Sequence, residues 1–278
     1  MKHLIINADD LGAAEGTVEA ISALYTRGIV TSTTALVNLP DWPKGAEFLR
    51  KNPELGAGVH LVMNDGRPVL PAELVPSLVK NDGHFYDGTS LLLRYGRLSL
   101  KQLETEWRAQ IEKFIHDTER RPDHLDLHCH YPYVFPAWFR VSLKLAREFG
   151  GLPVRLPFDD ALDAKAVSLS AGTGFPAWYV RWAGRRYQKM VLKHGLKRTD
   201  YWESSFSQDG KRTAETLLGL LEHLPDGSTE LLCHPGTGKA WRKQDYQALL
   251  DPRVKQAIKR LDIHLATYRS LFPDRSAT

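Results

Sequence analysis

This chain of 278 residues lacks the features that define several classes of protein. It has only two cysteines, which excludes a disulfide framework and makes a reducing cytoplasm the expected location. No stretch approaches the roughly 20 apolar residues of a membrane-spanning helix, and the first apolar run meets Asp9 and Asp10 too early for a signal peptide. The net charge of +4 is too small to indicate a nucleic-acid partner. What remains is an ordinary globular composition, 42% hydrophobic and 25% charged.

Predicted strands alternate with predicted helices along the chain. The strands are expected at residues 4–8, 31–37, 57–62, 124–128, 153–156, 230–234 and 263–268. This alternation is typical of an α/β fold with a mostly parallel sheet, either open or closed into a barrel. Because such barrels often form one unit of this length, we expect a single domain over residues 1–278. In either architecture the reactive groups should lie at the C-terminal ends of the strands.

Two adjacent carboxylates, Asp9 and Asp10, follow the first predicted strand. Neighbouring negative charges repel, so the pair needs a cation or a shared proton. On an extended chain the two side chains point to opposite sides, which suits two different roles. The alternative is an ordinary turn or a helix N-cap, positions that Asp favours.

The segment HLDLHCH carries the strongest local signal. In a strand, His124, Asp126, His128 and His130 share one face and the leucines share the other. Three imidazoles and a carboxylate are costly to bury without a charge to bind, and both groups are good ligands for a divalent cation. A carboxylate beside a ligating histidine commonly orients its ring. An exposed edge strand with its polar side outward is the alternative.

Two further histidines, His60 and His234, end other predicted strands. Each of these histidines alone is weak evidence for a metal site, because a lone histidine at a strand end is more often packed or hydrogen-bonded than a metal ligand. Together, however, four strands deliver Asp or His to one edge of the sheet. This coincidence predicts a divalent metal site with open positions for water and substrate. Imidazole ligands favour zinc or another transition metal, and magnesium stays open as a candidate ion.

Five segments of the chain resemble one known family. They are NADDLG, GIVTSTTALVN, LGAGVHLVMNDGRPVLP, RPDHLDLHCH and ELLCHPG. Their combination resembles the YdjC-like carbohydrate deacetylases, the family of chitooligosaccharide deacetylase. The resemblance implies an irregular (β/α) barrel of the glycoside hydrolase and deacetylase type.

The same resemblance implies roles for individual residues. Asp10, His60 and His128 correspond to metal ligands, Asp9 to the general base and His234 to the general acid. The family's HHHVH run is replaced here by CHYPY, which removes histidines that could contact substrate. The motif GRPVLP also resembles relatives associated with hopanoid biosynthesis, which indicates a glycolipid substrate.

The sequence therefore favours a metal-dependent hydrolase that removes an N-acetyl group from an amino sugar, an oligosaccharide or a glycolipid. One alternative is a phosphoesterase or glycosidase on the same barrel, although a glycosidase needs two carboxylates around the bond and this edge is rich in histidine. The other is a non-catalytic sugar-binding barrel, which would need no base at Asp9. Related barrels commonly pair, so a homodimer is a further expectation.

Residues 175–198 have a helical period with an unusual composition. Basic residues recur every four positions, at Arg181, Arg185, Lys189 and Lys193, among the large side chains of Trp178, Trp182, Tyr187 and Met190. A basic helix with Trp and Tyr is typical of an interfacial membrane helix, so peripheral membrane contact is one interpretation. The alternative is a barrel helix whose aromatic side chains pack inward.

Overall fold

The computed structural model describes residues 1–14, 16–129, 131–159, 161 and 176–273. Two residues that entered the predictions, His130 and Phe175, lie outside these ranges. The described chain forms a parallel sheet surrounded by helices, as the alternating pattern predicted.

The sheet contains β1 (Lys2–Leu11), β2 (Ser32–Ala35), β3 (Gly56–Leu61), β4 (Leu125–Leu127), β5 (Tyr201–Glu203), β6 (Gly227–Cys233) and β7 (Ile263–Leu265). These strands pair in parallel, in the order β4–β3–β2–β1–β6–β5. Strand β7 pairs with the beginning of β1, where Lys2 lies opposite Ile263. Strand β1 is thus central, and three other strands hold it in place.

Hydrogen bonds continue the sheet beyond β4. The amide of Leu125 donates to the carbonyl of Pro153, and the amide of Arg155 donates back to Leu125. The amide of Val154 then donates to the carbonyl of Lys197, four residues before β5 begins. The segment predicted as a strand at 153–156 is therefore a single β-bridge, and the sheet curls into an irregular (β/α)-barrel type of fold. The predicted fold class is confirmed.

The helices are α1 (Thr17–Arg27), α2 (Trp42–Lys51), α3 (Gly88–Leu93), α4 (Leu100–Thr118), α5 (Tyr131–Val134), α6 (Pro136–Glu148), α7 (Ala177–Lys193), α8 (Ala214–Glu222), α9 (Ala240–Leu250), α10 (Pro252–Arg260) and α11 (Tyr268–Leu271). Short 3₁₀ turns occupy 72–74, 95–97 and 205–207. Within the described ranges, none of these helices combines the length and apolar character required to cross a bilayer. Large side chains such as Trp42, Trp107 and Trp138 fill the core.

Some predicted boundaries are wrong for identifiable reasons. The last strand was expected at 263–268 but ends at Leu265, because Thr267 caps α11 through its side chain and draws the chain into a helical turn. Ser99 caps α4 by accepting from the amide of Gln102. The reciprocal bond of a capping box is not made, because Gln102 accepts from the amide of Ser77 in the preceding long segment.

The long segment at 64–98 is anchored to α4 by buried polar side chains. Glu106 accepts from the amides of Val69 and Leu70 at 2.9 and 3.0 Å. Gln110 accepts from the amide of Val62, just after β3, and donates to its carbonyl. Because these bonds satisfy buried backbone groups, they fix the segment close to the end of β3.

Candidate active site

The site begins where β1 departs from regular geometry. The pairing of β1 with β2 shifts between Ala8 and Leu11, and Asp10 has a positive φ of 69°. Asp tolerates this left-handed region better than most residues. Because the chain turns here, the carboxylates of Asp9 and Asp10 approach the same imidazole, each 3.7 Å from Nε2 of His60. The expectation that they point to opposite sides is therefore wrong.

Three of the predicted residues form one group. Asp10 Oδ1 lies 3.7 Å from His60 Nε2 and 3.5 Å from His128 Nδ1. One ligand atom from each of the three residues falls within 4.8 Å of the other two. Ligands about 2.1 Å from a tetrahedral zinc ion lie about 3.4 Å apart. The spacing of these atoms thus fits a divalent ion, and this geometry keeps the metal hypothesis open.

Two atoms of this group also lack partners. Asp10 Oδ1 and His128 Nδ1 are buried and make no hydrogen bond in the described structure. Leaving a buried acceptor unsatisfied is costly, so such atoms in a native protein call for a ligand or a solvent molecule. The donor set, two imidazoles and one carboxylate, is also that of many catalytic zinc sites.

His60 is oriented by a carboxylate from the next strand. Asp126 Oδ1 lies 2.6 Å from Nδ1 of His60, so Nε2 is left facing the two carboxylates of β1. Burial lowers the pKa of His60, but the negative charges of Asp126 and Asp9 raise it by a larger amount, and the resulting pKa is about 9. Asp126 therefore has the orienting role expected of a carboxylate beside a ligating histidine.

Behind Asp9 lies a buried cation that the sequence reasoning did not identify. Arg155 donates from both terminal nitrogens to Asp9, at 2.7 Å each. It also lies 2.7 Å from Asp126 Oδ2 and donates to Glu230 at 2.7 and 2.9 Å. The second oxygen of Glu230 accepts from the hydroxyl of Tyr268 at 2.7 Å.

The electrostatic effect on Asp9 follows from these contacts. Burial raises the pKa of Asp9, but Arg155, followed by His60, lowers it more, to well below its usual range. Asn7 and Thr34 also donate to Oδ1, whereas Oδ2 faces His60 at 3.7 Å. Asp9 is thus held ionised with one oxygen on the side of the imidazoles.

His234 lies on the opposite side of Asp9, just after β6. Its Nε2 is 4.0 Å from Asp9 Oδ2, and its backbone amide donates to Asp245 at 2.8 Å. Arg212 donates to the other oxygen of Asp245, which fixes that carboxylate. Burial lowers the pKa of His234, and the nearby Asp10 and Asp9 offset only part of that effect.

A second arginine contacts the carboxylate pair. Arg242, on α9, donates to Asp10 Oδ2 at 2.7 Å and stacks over the ring of Trp241. Because Arg242 occupies Oδ2, Oδ1 remains the oxygen directed at His60 and His128. The helix α9 was not predicted, so this contact could not have been anticipated.

The buried charges do not balance. Four carboxylates surround two guanidinium groups: Asp9, Asp10, Asp126 and Glu230 around Arg155 and Arg242. With the imidazoles neutral, as metal ligands must be, two negative charges are left over; with no ion bound, a proton on His60, whose pKa is raised to about 9, offsets one of them. Buried charges need compensation, and a divalent cation would supply it.

One predicted site residue lies elsewhere. His124 precedes β4, bonds to Asp123 at 2.6 Å and stacks on Tyr268, so it packs in the interior away from the group. The neighbouring strand leaves room for its ring because residue 58 is glycine; a Cβ there would lie 2.6 Å from the imidazole. The proposed shared stripe is therefore only partly formed. Arg155 did carry a signal, since one charged residue inside an apolar strand needs a buried partner.

Fold and site together define the class, a (β/α)-barrel enzyme whose acidic and imidazole groups lie at the C-terminal edge of a parallel sheet. Within it, this chain belongs to the YdjC-like protein family, whose model matches residues 3–260. The family resemblance inferred from the motifs is confirmed.

Named relatives extend over nearly the whole chain. A carbohydrate deacetylase of Enterococcus faecalis is 32% identical, covering 97% of this chain and 98% of its own. A chitooligosaccharide deacetylase of Yersinia enterocolitica is 28% identical over 96% of this chain and 98% of its own length.

Solved structures agree on the fold. A protein from E. faecalis V583, named for a suggested role in cellobiose-phosphate cleavage, has a TM-score of 0.77 and 31% identity, with 97% and 98% of the two chains covered. The Xyl-CE4 domain of a xylanase from a Trinervitermes trinervoides hindgut metagenome has a TM-score of 0.51 at 9% identity, covering 100% of this chain and 92% of its own. At that identity the similarity concerns the fold alone.

Proposed function

We propose that this protein is a metal-dependent carbohydrate deacetylase, which hydrolyses the N-acetyl group of an amino sugar. The convergence of Asp10, His60 and His128, with Asp9 next to His60 and His234 next to Asp9, is the observation that carries the proposal. The names of the YdjC-like relatives supply the reaction. The substrate is an acetylated amino sugar, alone or within an oligosaccharide or glycolipid.

Asp10, His60 and His128 would hold one divalent ion, zinc or magnesium. When bound there, such an ion supplies Lewis acidity, which polarises a carbonyl group and makes water more acidic. Arg242 and Asp126 fix the two ligands that they contact, Asp10 and His60. Ligands held in this way lose little freedom on binding, which favours affinity.

Asp9 is the general base. Arg155 keeps it ionised, and its Oδ2 faces the imidazoles. It accepts a proton from water as the water oxygen bonds to the acetyl carbon. A positioned base of this kind is typically worth about 10²–10⁴ in rate.

His234 is the general acid. The carbon–nitrogen bond breaks as Nε2 of His234 donates a proton to the sugar nitrogen, so acetate and a free amine leave. Burial lowers the pKa of this imidazole, and a lower pKa makes its protonated form a stronger donor. Its Nε2 lies 4.0 Å from Asp9 Oδ2, so base and acid flank one substrate position.

The test is acetate release by chelator-treated protein with Zn²⁺ or Mg²⁺ restored, on N-acetylglucosamine oligomers and on a glycolipid bearing the same sugar. Asp9→Asn and Asp10→Asn form a matched pair. We expect both to lose turnover, but only Asp10→Asn to lose metal in direct metal analysis. Equal metal content in the two variants, or full turnover without metal, would contradict the division of roles.

A further inference from the structure

Helix α7 exposes large hydrophobic side chains that a barrel helix normally buries. Trp178, Trp182 and Leu192 are 67%, 53% and 71% exposed. Tyr187, in contrast, is buried and packs against Phe158. The interpretation that the aromatic side chains of this helix pack inward therefore holds for Tyr187. It is wrong for Trp178 and Trp182.

The exposed residues follow one another along a single face. The exposed positions 178, 182, 185, 189 and 192 alternate spacings of four and three, which places them on one side of a helix over about 21 Å. All five charged residues of α7 are basic and none is acidic; they are Arg181, Arg185, Arg186, Lys189 and Lys193. The face therefore combines indole rings with positive charge only.

Helix α7 packs along the chain that follows Arg155. The side chain of Gln188 donates to the carbonyls of Phe158 and Asp159, which follow the strand position of Arg155. A helix that returns between parallel strands runs antiparallel to them. The N-terminal half of α7 is therefore expected on the side of the C-terminal strand ends, and Val180 within it is buried against Phe158. Trp178 and Trp182 lie in this part.

We propose that this face of α7 binds an anionic lipid surface. Tryptophan prefers the boundary between headgroups and acyl chains, and basic residues beside it are attracted to anionic headgroups. A neutral sugar chain could stack on the indole rings but gives no reason for a helix whose charged residues are all basic. The exposed rings lie on the active-site side of the barrel, so the bound enzyme would present that side to the membrane.

The proposal does not depend on the deacetylase reaction, because lipid binding is measured without turnover. Purified full-length protein is sedimented with two kinds of phosphatidylcholine vesicle, one without phosphatidylglycerol and one with about 30% of this anionic lipid. Both are tested at low and at high salt. We expect binding that requires the anionic lipid and is lost at about 1 M salt, where the screening length falls to about 3 Å.

Two variants and one control assign the binding to this face. Trp178→Ala with Trp182→Ala, and separately Lys189→Glu with Lys193→Glu, should each weaken vesicle binding by about tenfold or more. The control, Lys255→Glu with Lys259→Glu, makes the same change in charge at the same spacing on α10, which has no tryptophan.

Circular dichroism and the melting temperature establish that each variant is folded. Vesicle binding that drops equally in the control, or no binding to anionic vesicles at low salt, overturns the proposal. A raised KM for a soluble acetylated oligosaccharide in the tryptophan variant, with vesicle binding unchanged, also overturns it and assigns the face to sugar.

Discussion

Replacing Arg155 by methionine tests whether the carboxylates behind the candidate site depend on one cation. The guanidinium is 4% exposed and contacts Asp9, Asp126 and Glu230, each at 2.7 Å. Methionine is similar in length and apolar, so the change removes the charge without opening a large cavity. It leaves three buried carboxylates without their shared partner.

The expected loss of stability is large. Removing one partner of a buried ion pair typically costs about 3–5 kcal/mol, because the other charge stays desolvated. Three carboxylates share this arginine, so we expect the upper part of that range, a substantial share of a total stability of about 5–15 kcal/mol. The pKa of Arg155 lies well above its usual value; burial opposes this shift, and Asp126 and Asp9 outweigh the burial.

The pH dependence gives the loss a signature. In the native protein the pKa of Asp9 lies below its usual range, so its contribution is present at neutral pH and is lost as the pH falls through the folded pKa. Without Arg155, burial, the largest single influence on Asp9, is expected to raise that pKa against the smaller opposing effects of His60 and His234. The carboxyl group then gains a proton on folding, and the variant is less destabilised at pH 5 than at pH 8.

Urea unfolding of native protein and variant at both pH values measures this difference. Arg253→Met is the matched control, since Arg253 contacts two carboxylates, Asp251 and Glu215, but is 55% exposed. Its midpoint should hardly move, because exposed ion pairs contribute little. A loss below about 1 kcal/mol for Arg155→Met, or a loss that grows as the pH falls, would refute the reasoning.

Three other outcomes are expected. Asp126→Asn should lower metal affinity by about 10–100-fold in equilibrium dialysis, because it no longer fixes the ring of His60. Arg242→Met should raise metal affinity in equilibrium dialysis, since it frees one oxygen of Asp10, and should lower the urea midpoint, since Asp10 loses its buried partner. Gly58→Ala should lower the free energy of unfolding by about 1–3 kcal/mol, because its Cβ would lie 2.6 Å from a buried histidine ring. A fall in the melting temperature would register this loss.

The fold was largely predictable because its periodicity is local. Each long strand is a run of apolar residues that ends at a polar one, and this pattern can be read without knowing the partner strands. The short strand β5 was missed, since its three residues, Tyr201–Glu203, are not flanked by the apolar residues that mark the other strands. Helix α9 was missed because apolar residues do not mark its buried face; Arg242 and Asp245 are among its buried residues.

The candidate site was predictable to the extent that its residues end strands. Asp10, His60 and His128 do converge, and whether they bind metal stays a prediction. The turn at Asp10 was not predictable, because it depends on a register shift between two strands. Burial by a neighbouring strand likewise made His124 a packing residue, although its sequence context matched that of His128.

The buried charges connect the stability of the fold to the proposed cofactor. Each of the two arginines neutralises a carboxylate of the pair, Arg155 at Asp9 and Arg242 at Asp10, yet Asp126 and Glu230 leave the cluster negative. A protein selected for stability alone would replace such a cluster with apolar residues, which are often at least as stabilising. The remaining negative charge is directed through Asp10 Oδ1, the one oxygen of that carboxylate without a hydrogen bond. The arrangement makes sense as a preformed cation site, in which the cost of desolvating the carboxylates is met during folding and the ion binds without rearrangement.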